Sequence, residues 1–278
     1  MEGKVNMLIS VILSTYNNYG ALSLALDSLA RQKDTNFEVV IADDGSAERC
    51  KALTAQYAKH LPYQCRHIWH EDKGFRPATI RNLGVRAAKG DYLIFLDGDC
   101  IACKDFIAQH RRLSEKGWFI SGKRVNLSEN FSKKCITKKL AIQDWSPLRW
   151  LWPRLRKDIN KINLLLPIFP EILFLRRRKD SALGARSCNL SMFSEDFYAV
   201  NGFDEAFHDW GIEDTELVIR LLNSGIKHKR TRYSVLVYHL WHPNRESDNG
   251  SVQNKKLLDK TIKENRIYTP RGIVRFCS

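Results

Sequence analysis

Three apolar runs, at residues 8–13, 37–42 and 92–96, each break off into a polar or acidic cluster, and residues with helical spacing fill the intervals. The first ends at Ser14-Thr15-Tyr16-Asn17 and is followed by Leu22, Leu26 and Leu29. The second ends at Asp43-Asp44-Gly45-Ser46 and leads into a helical stretch at 48–60. A short strand at 65–69, a glycine-containing loop at 72–77 and a helix at 78–88 precede the third, which ends at Asp97-Gly98-Asp99. Strands alternating with helices predict an α/β fold, a mostly parallel central sheet with helices on both faces. Open sheets of this kind bind ligands beyond the carboxyl ends of their strands, where all three clusters fall.

Asp97 and Asp99 flank one glycine at the end of a strand that reads as buried. Carboxylates that close repel each other and resist burial. A turn accounts for one of them; a cation accounts for both. Hard divalent cations take oxygen ligands and can bridge a carboxylate to a diphosphate. No GxGxxG opens the first helix and no GxxxxGK[ST] occurs, so neither a dinucleotide fingerprint nor a P-loop is present.

The formal charge of +14 points to an anionic partner: a nucleotide, a nucleic acid or an acidic membrane surface. With 278 residues, the chain can bury a full core. Its seven cysteines lack disulfide-framework spacing, and the Cys100-x-x-Cys103 pair has no second pair at zinc-site spacing, so free thiols in a reducing compartment are expected. The apolar stretch at 7–13 is too short to span a bilayer and lacks a cleavage pattern, and a cytoplasmic location is expected.

Between residues 130 and 180 the pattern changes. Arginines and lysines cluster from 149 to 179 against only Asp158 and Glu171, among leucines and Trp145, Trp150 and Trp152. This segment reads either as a helical insertion with a solvated basic face or as a surface meeting anionic lipid with its tryptophans at the interface, which would make the protein peripheral on the inner face of the cell membrane. Regular structure returns with a strand at 188–193, a short helix at 194–200, a helix from Glu213 to Asn223 closed by Gly225, and a last strand at 234–240. Residues 244–278 are polar and charged and read as a lid and tail, with 243–251 the part that closes over the site.

"VILSTYNN", "VVIADDGS", "GFRPATIRNLGVRAAKGDYLIFLDGDC" and "VNGFDEAFHDWGIEDTELVIRL" together resemble family 2 glycosyltransferases of the GT-A fold. The last stretch is also similar to the C-terminal motif of β-1,4-galactosyltransferases and of bacterial chondroitin-polymerase-like enzymes. The resemblance spans roughly residues 8–243, one GT-A domain, with 130–180 unmatched. It implies an inverting, metal-dependent enzyme that moves a hexose or N-acetylhexosamine from a UDP-sugar to a glycan or lipid-linked glycan, as in lipopolysaccharide or capsule synthesis, with no nucleic-acid partner.

By the same resemblance, Asp99 and His239 hold Mn²⁺ or Mg²⁺, and Asp97 reaches the ribose or a metal-bound water. Ser14, Tyr16 and either Asp43 or Asp44 hold the uracil and ribose, while Arg76 and Arg81 offer donors to the diphosphate. Asp214 is the general base, Glu213 holds the acceptor and Trp210 forms a platform beneath it. In a straight strand, residues three apart face opposite sides, so His239 and His242 are not expected to share one cation. Ile212 stands where the galactosyltransferase motif has a second glycine, which leaves the sugar open. Two alternatives are a nucleotidyltransferase, which would not need the WGIED stretch, and a non-catalytic basic protein binding membrane or nucleic acid. The latter gives Asp97, Asp99, Asp214 and His239 no reason to converge.

Overall fold

The computed structural model describes residues 6–160, 176–178, 182, 184–208, 211–231, 234–243 and 248–274. Strand β1 (Ile9–Thr15), helix α1 (Tyr19–Ala30), β2 (Phe37–Asp43), α2 (Glu48–Ala58), β3 (Gln64–Trp69), α3 (Pro77–Ala87) and β4 (Tyr92–Asp97) alternate as the sequence predicts. The chain continues through β5 (Cys100–Ala102), α4 (Phe106–Leu113), β6 (Trp118–Ser121), β7 (Lys123–Asn126), α5 (Glu129–Lys138), α6 (Leu151–Leu155) and β8 (Arg176–Arg178). It closes with β9 (Asn189–Phe193), α7 (Ser194–Ala199), α8 (Glu213–Asn223), β10 (Lys227–Arg230), β11 (Leu236–His239) and α9 (Asp248–Lys263).

Eight strands form the main sheet in the order β3-β2-β1-β4-β9-β6-β10-β8. β3, β2, β1 and β4 run parallel, so their carboxyl ends share one edge. β9 runs antiparallel to β4, with Asn189 opposite Leu96, so its first residues lie beside that same edge. A smaller sheet, β5-β11-β7, grows out of the end of β4.

Successive strand residues face opposite ways. Val11, Val39 and Ile94 pack with Leu22, Leu26 and Leu29 of α1 on one face. Ile12, Val40, Leu93 and Phe95 meet Phe197, Phe203, Leu217 and Leu221 on the other. A third cluster joins the small sheet, through Ile101, Val125 and Tyr238, to Phe131, Ile142 and Trp150.

Two expectations are corrected here. Trp150, read as an interfacial tryptophan, is 1% exposed and stacks on Tyr238 with ring centroids 4.8 Å apart. The 3₁₀ turn Pro147–Trp150 folds its ring inward, whereas Trp152 stays 64% exposed. The polar tail contains the helix α9, in which Thr261 is buried and donates to Glu216 Oε1 at 3.0 Å. Farther on, Ile273 N donates to Asn201 O at 2.9 Å, which ties the chain's last described turn to the core. Residues 244–247, within the expected lid, and 161–175 of the basic segment lie outside the described residues. No described helix is long and apolar enough to cross a membrane. The six described cysteines are free.

Candidate active site

At the end of β4 the chain turns through Gly98, whose N–H donates to Ser14 O at 2.7 Å. A Cβ there would stand 3.0 Å from that oxygen and 3.1 Å from Thr15 Cβ, so glycine lets the acidic turn lie against β1. The chain then enters β5, which pairs antiparallel with β11 in a register that sets His239 opposite Cys100. Leu240 N donates to Asp99 O at 2.9 Å. This pairing brings His239 to the acidic turn from far along the sequence.

His239 Nε2 lies 3.7 Å from Asp99 Oδ1, and His242 Nε2 lies 3.4 Å from Asp99 Oδ2. The expectation that the two histidines diverge is therefore corrected. β11 ends at His239, and Trp241 N donates to Ser132 Oγ at 2.8 Å, so the chain bends before strand alternation can apply. The rings come to 5.2 Å between centroids. Burial, reinforced by the Asp97 charge, raises the Asp99 carboxyl against the pull of His239 and His242. Burial lowers the His239 imidazole, which favours the neutral, ligating form. Ligand atoms of Asp99, Cys100 and His239 lie within 4.8 Å of one another. Burial, with a hydrogen bond that Cys100 donates to Cys188, pushes the Cys100 thiol well above its ordinary value, so it stays protonated and the His239 imidazole is the better donor. The Asp99 carboxylate and the neutral His239 imidazole fit a divalent cation, with His242 beside the carboxylate's other oxygen.

Asp97 Oδ1 accepts from Ser14 Oγ at 2.9 Å and from Arg81 Nη2 at 3.2 Å. Arg81, 5% exposed on α3, reaches Glu213 Oε1 with Nη1 at 2.8 Å. Its Nε has no partner among the described residues. Burial opposes its charge, but Asp97 and Glu213 outweigh that and hold its proton more firmly than usual. Glu213 is raised by burial and by Asp214, against the Arg81 attraction. Asp214, half-buried at the start of α8, accepts from Ser187 N at 3.2 Å and Thr215 Oγ1 at 3.3 Å. Ile212, just before this helix, has φ of 68°. The galactosyltransferase glycine is thus replaced at a left-handed position, where a β-branched residue is strained by about 1–2 kcal/mol.

At the end of β2, Asp43 is fully buried. Its Oδ1 accepts from Ser46 N at 2.9 Å and its Oδ2 meets His67 Nε2 at 3.0 Å. Burial alone would raise this carboxyl, but the His67 and Ser46 hydrogen bonds bring it below its usual value. Asp44 pairs with His70 Nε2 at 2.7 Å and accepts from Arg76 N at 2.9 Å. The Arg76 guanidinium donates to Glu71 O, and Tyr16 Oη donates to Asp72 Oδ2 at 2.9 Å. The loop of residues 70–76 therefore lies across the Asp43-Asp44 turn. Gly45 (φ of 92°) permits this, because a Cβ there would sit 2.6 Å from Asp72 Cα.

The structure thus joins Ser14, Asp97, Arg81 and Glu213 in one chain of contacts and gathers Asp99, His239 and His242 in a second. Asp43, Asp44, Tyr16 and Arg76 belong to a third group, and Trp210 lies outside the described residues. Sequence reasoning missed His67 and His70. Their signal was the histidine spacing in "HIWH", which parallel pairing of β3 with β2 sets beside the two aspartates.

Residues 10–183 match the family described as glycosyl transferase family 2, and residues 176–243 match the N-terminal domain of galactosyltransferase. The chain is 30% identical over 237 residues to a validoxylamine A glucosyltransferase of Streptomyces hygroscopicus subsp. jinggangensis, covering 79% of this chain and 52% of that protein. It is 28% identical over 283 residues to the chondroitin synthase of Pasteurella multocida, covering 97% of this chain and 28% of that protein. The chain therefore spans about half or less of these relatives' lengths. Among solved structures, GalNAc-T7 with UDP, GalNAc and Mn²⁺ superposes with a TM-score of 0.64 at 16% identity, covering 92% of this chain and 48% of that one, which establishes a shared fold.

Proposed function

Because this chain belongs to glycosyl transferase family 2, we propose that it transfers a hexose or N-acetylhexosamine from a UDP-sugar to a growing glycan, with inversion at the transferred carbon. The observation that carries this reading is the buried Arg81, which spans from Asp97 of the acidic turn to Glu213 at the start of α8. It holds within reach of one guanidinium the two carboxylates that this reading gives to donor and acceptor.

Asp214 takes the proton of the acceptor hydroxyl as that oxygen attacks the sugar's anomeric carbon. The bond from that carbon to the diphosphate breaks, and its electron pair leaves with UDP. Ser187 N and Thr215 Oγ1 orient the Asp214 carboxylate. Glu213, fixed by Arg81 through Oε1, presents its other oxygen to an acceptor hydroxyl. Ser14 and Asp97 face the ribose, and the Tyr16 to Arg76 group borders the base. Asp99, His239 and His242 would hold Mn²⁺ or Mg²⁺, which would supply positive charge to the departing diphosphate. Imidazole donors favour Mn²⁺ of the two. The chondroitin synthase relative supports a polysaccharide acceptor, such as a capsule chain or the glycan of a surface lipopolysaccharide.

The test is transfer and hydrolysis measured across a panel of UDP-sugars, with Mn²⁺, with Mg²⁺ and with chelator. Turnover of at least one UDP-sugar that disappears with chelator is expected. A chain that binds no UDP and consumes no UDP-sugar in any condition is not this enzyme.

A further inference from the structure

The 3₁₀ turn Pro147–Trp150 runs directly into α6, and this short projection has two opposite sides. Trp150 and Pro153 are buried beneath it. Leu148, Leu151, Trp152 and Leu155 point outward, with exposures of 78%, 48%, 64% and 75%. Their spacing is that of one helical stripe, which in a globular protein normally faces a core. Here the stripe faces away from the core that Trp150 occupies.

Cations surround it. Arg149, Arg154, Arg156 and Lys157 are all exposed, and no acidic residue occurs from 145 to 157. Arg149 lies over the Trp145 ring at 4.2 Å. Asp158, the first acid beyond, accepts from Ser128 Oγ at 2.8 Å and sits 3.6 Å from Arg156 Nε. Exposed leucines and a tryptophan ringed by cations, of which Arg156 alone has an acid within ion-pair distance among the described residues, complement a bilayer with anionic headgroups: apolar side chains enter between the headgroups and cations stay at the phosphates.

We propose that residues 147–157 are a membrane-docking wedge, seating the protein on anionic lipid without spanning it. The wedge would bring the active site to a lipid-anchored acceptor. That part rests on the transferase reading above, while the lipid binding does not.

Sedimentation with phosphatidylcholine vesicles and with vesicles enriched in phosphatidylglycerol tests this, using the full chain at low salt. At least about tenfold more protein should pellet with the anionic vesicles, as expected where several cations face such a surface. Leu148→Ser combined with Leu155→Ser, and Arg154→Gln combined with Arg156→Gln, should each return binding to the neutral-vesicle level. All four side chains are exposed, so both variants should keep the melting temperature and UDP affinity of the parent. No binding to anionic vesicles overturns the proposal. Binding that survives the leucine changes also overturns it, since free cations meeting phosphate would then suffice. A dimer in sedimentation velocity that the leucine changes dissolve, without vesicle binding, would assign the stripe to a second copy instead. Vesicle binding without any sugar transfer would keep the wedge and remove the transferase reading.

Discussion

Arg81 and Arg220 are both buried guanidiniums, and each meets a glutamate of α8, one turn apart. Arg220 has a partner at each of its three nitrogens. Its Nε and Nη2 reach Glu216 at 2.8 and 2.7 Å, and Nη1 and Nη2 reach the carbonyls of Val200 and Gly202 at 2.5 and 2.7 Å. Glu216 in turn accepts from Thr261. Arg81 is incomplete: two carboxylates share it, Nε is unpartnered among the described residues, and Asp97 keeps 30% of its side chain exposed. A closed network of this kind pins α8 to the fold. An open one, with unused acceptors facing solvent, is poised for a ligand.

The largest effect that would break this contrast lies beside the open network. Asp214→Asn should lower transfer about a hundredfold to ten-thousandfold while UDP affinity holds. Initial rates and calorimetric UDP titration check this, and an unimpaired mutant would leave Asp214 an ordinary helix-start residue. In the closed network, Arg220→Met should cost about 3–5 kcal/mol, because Glu216 is left buried without its counter-charge. The same change at Arg81 should cost less stability, since solvent reaches Asp97, yet reduce turnover at least about tenfold through misplacement of Glu213. Denaturant melts and rates on both variants would decide it; equal losses of stability with equal losses of rate would erase the distinction.

His110 sharpens the rule from the other side. Fully buried, it has Ser191 Oγ at 2.8 Å from Nδ1 and, among the described residues, no carboxylate paired with it. Burial lowers its pKa to about 3. Its folded-state pKa lies below the unfolded one, so the unfolded chain takes up the proton first. The stability His110 permits is complete above about pH 6.5 and is lost as pH falls toward 3, by about 2 kcal/mol at pH 5. Melts from pH 8 to pH 5 should show that slope, and His110→Gln should flatten it. The smallest effect is at the entrance to α8. Ile212→Gly relieves left-handed strain but adds freedom to the unfolded chain, for a net gain of about 1 kcal/mol or less. Thermal shift measures that gain, and a UDP-sugar panel on the same variant shows whether the side chain shapes the donor or acceptor pocket.

The parts of this site legible in the sequence were those written locally. The acidic turn follows the apolar run of β4, and Glu213 and Asp214 begin a clear amphipathic helix, so strand ends and helix starts could be placed from spacing alone. Contacts made by distant pairing were not written in the spacing: the family resemblance alone set His239 beside Asp99, and it did not reach His242. His239 and His242 converge on Asp99 only because β11 pairs with β5 and then bends, and strand alternation pointed the other way. Trp150 sits in a tryptophan-rich, basic stretch whose composition suggests a surface, yet one 3₁₀ turn folds it inward. The amphipathic helix α9 has so few apolar residues that only its packing against α8 reveals it.

Tyr238, the residue before His239, carries the Trp150 ring flat against its own. The projection at 147–157 therefore packs directly on the strand that carries His239. Docked on lipid as proposed, this packing would hold the end of that strand at a set height above the surface. An acceptor sugar would be reached only when its hydroxyl stands at that height above the lipid, so the length of glycan already present would decide which chains are extended. Under the two proposals above, such selection would work as a gauge: it would need no pocket that reads the earlier sugars, only the distance from the bilayer to Asp214.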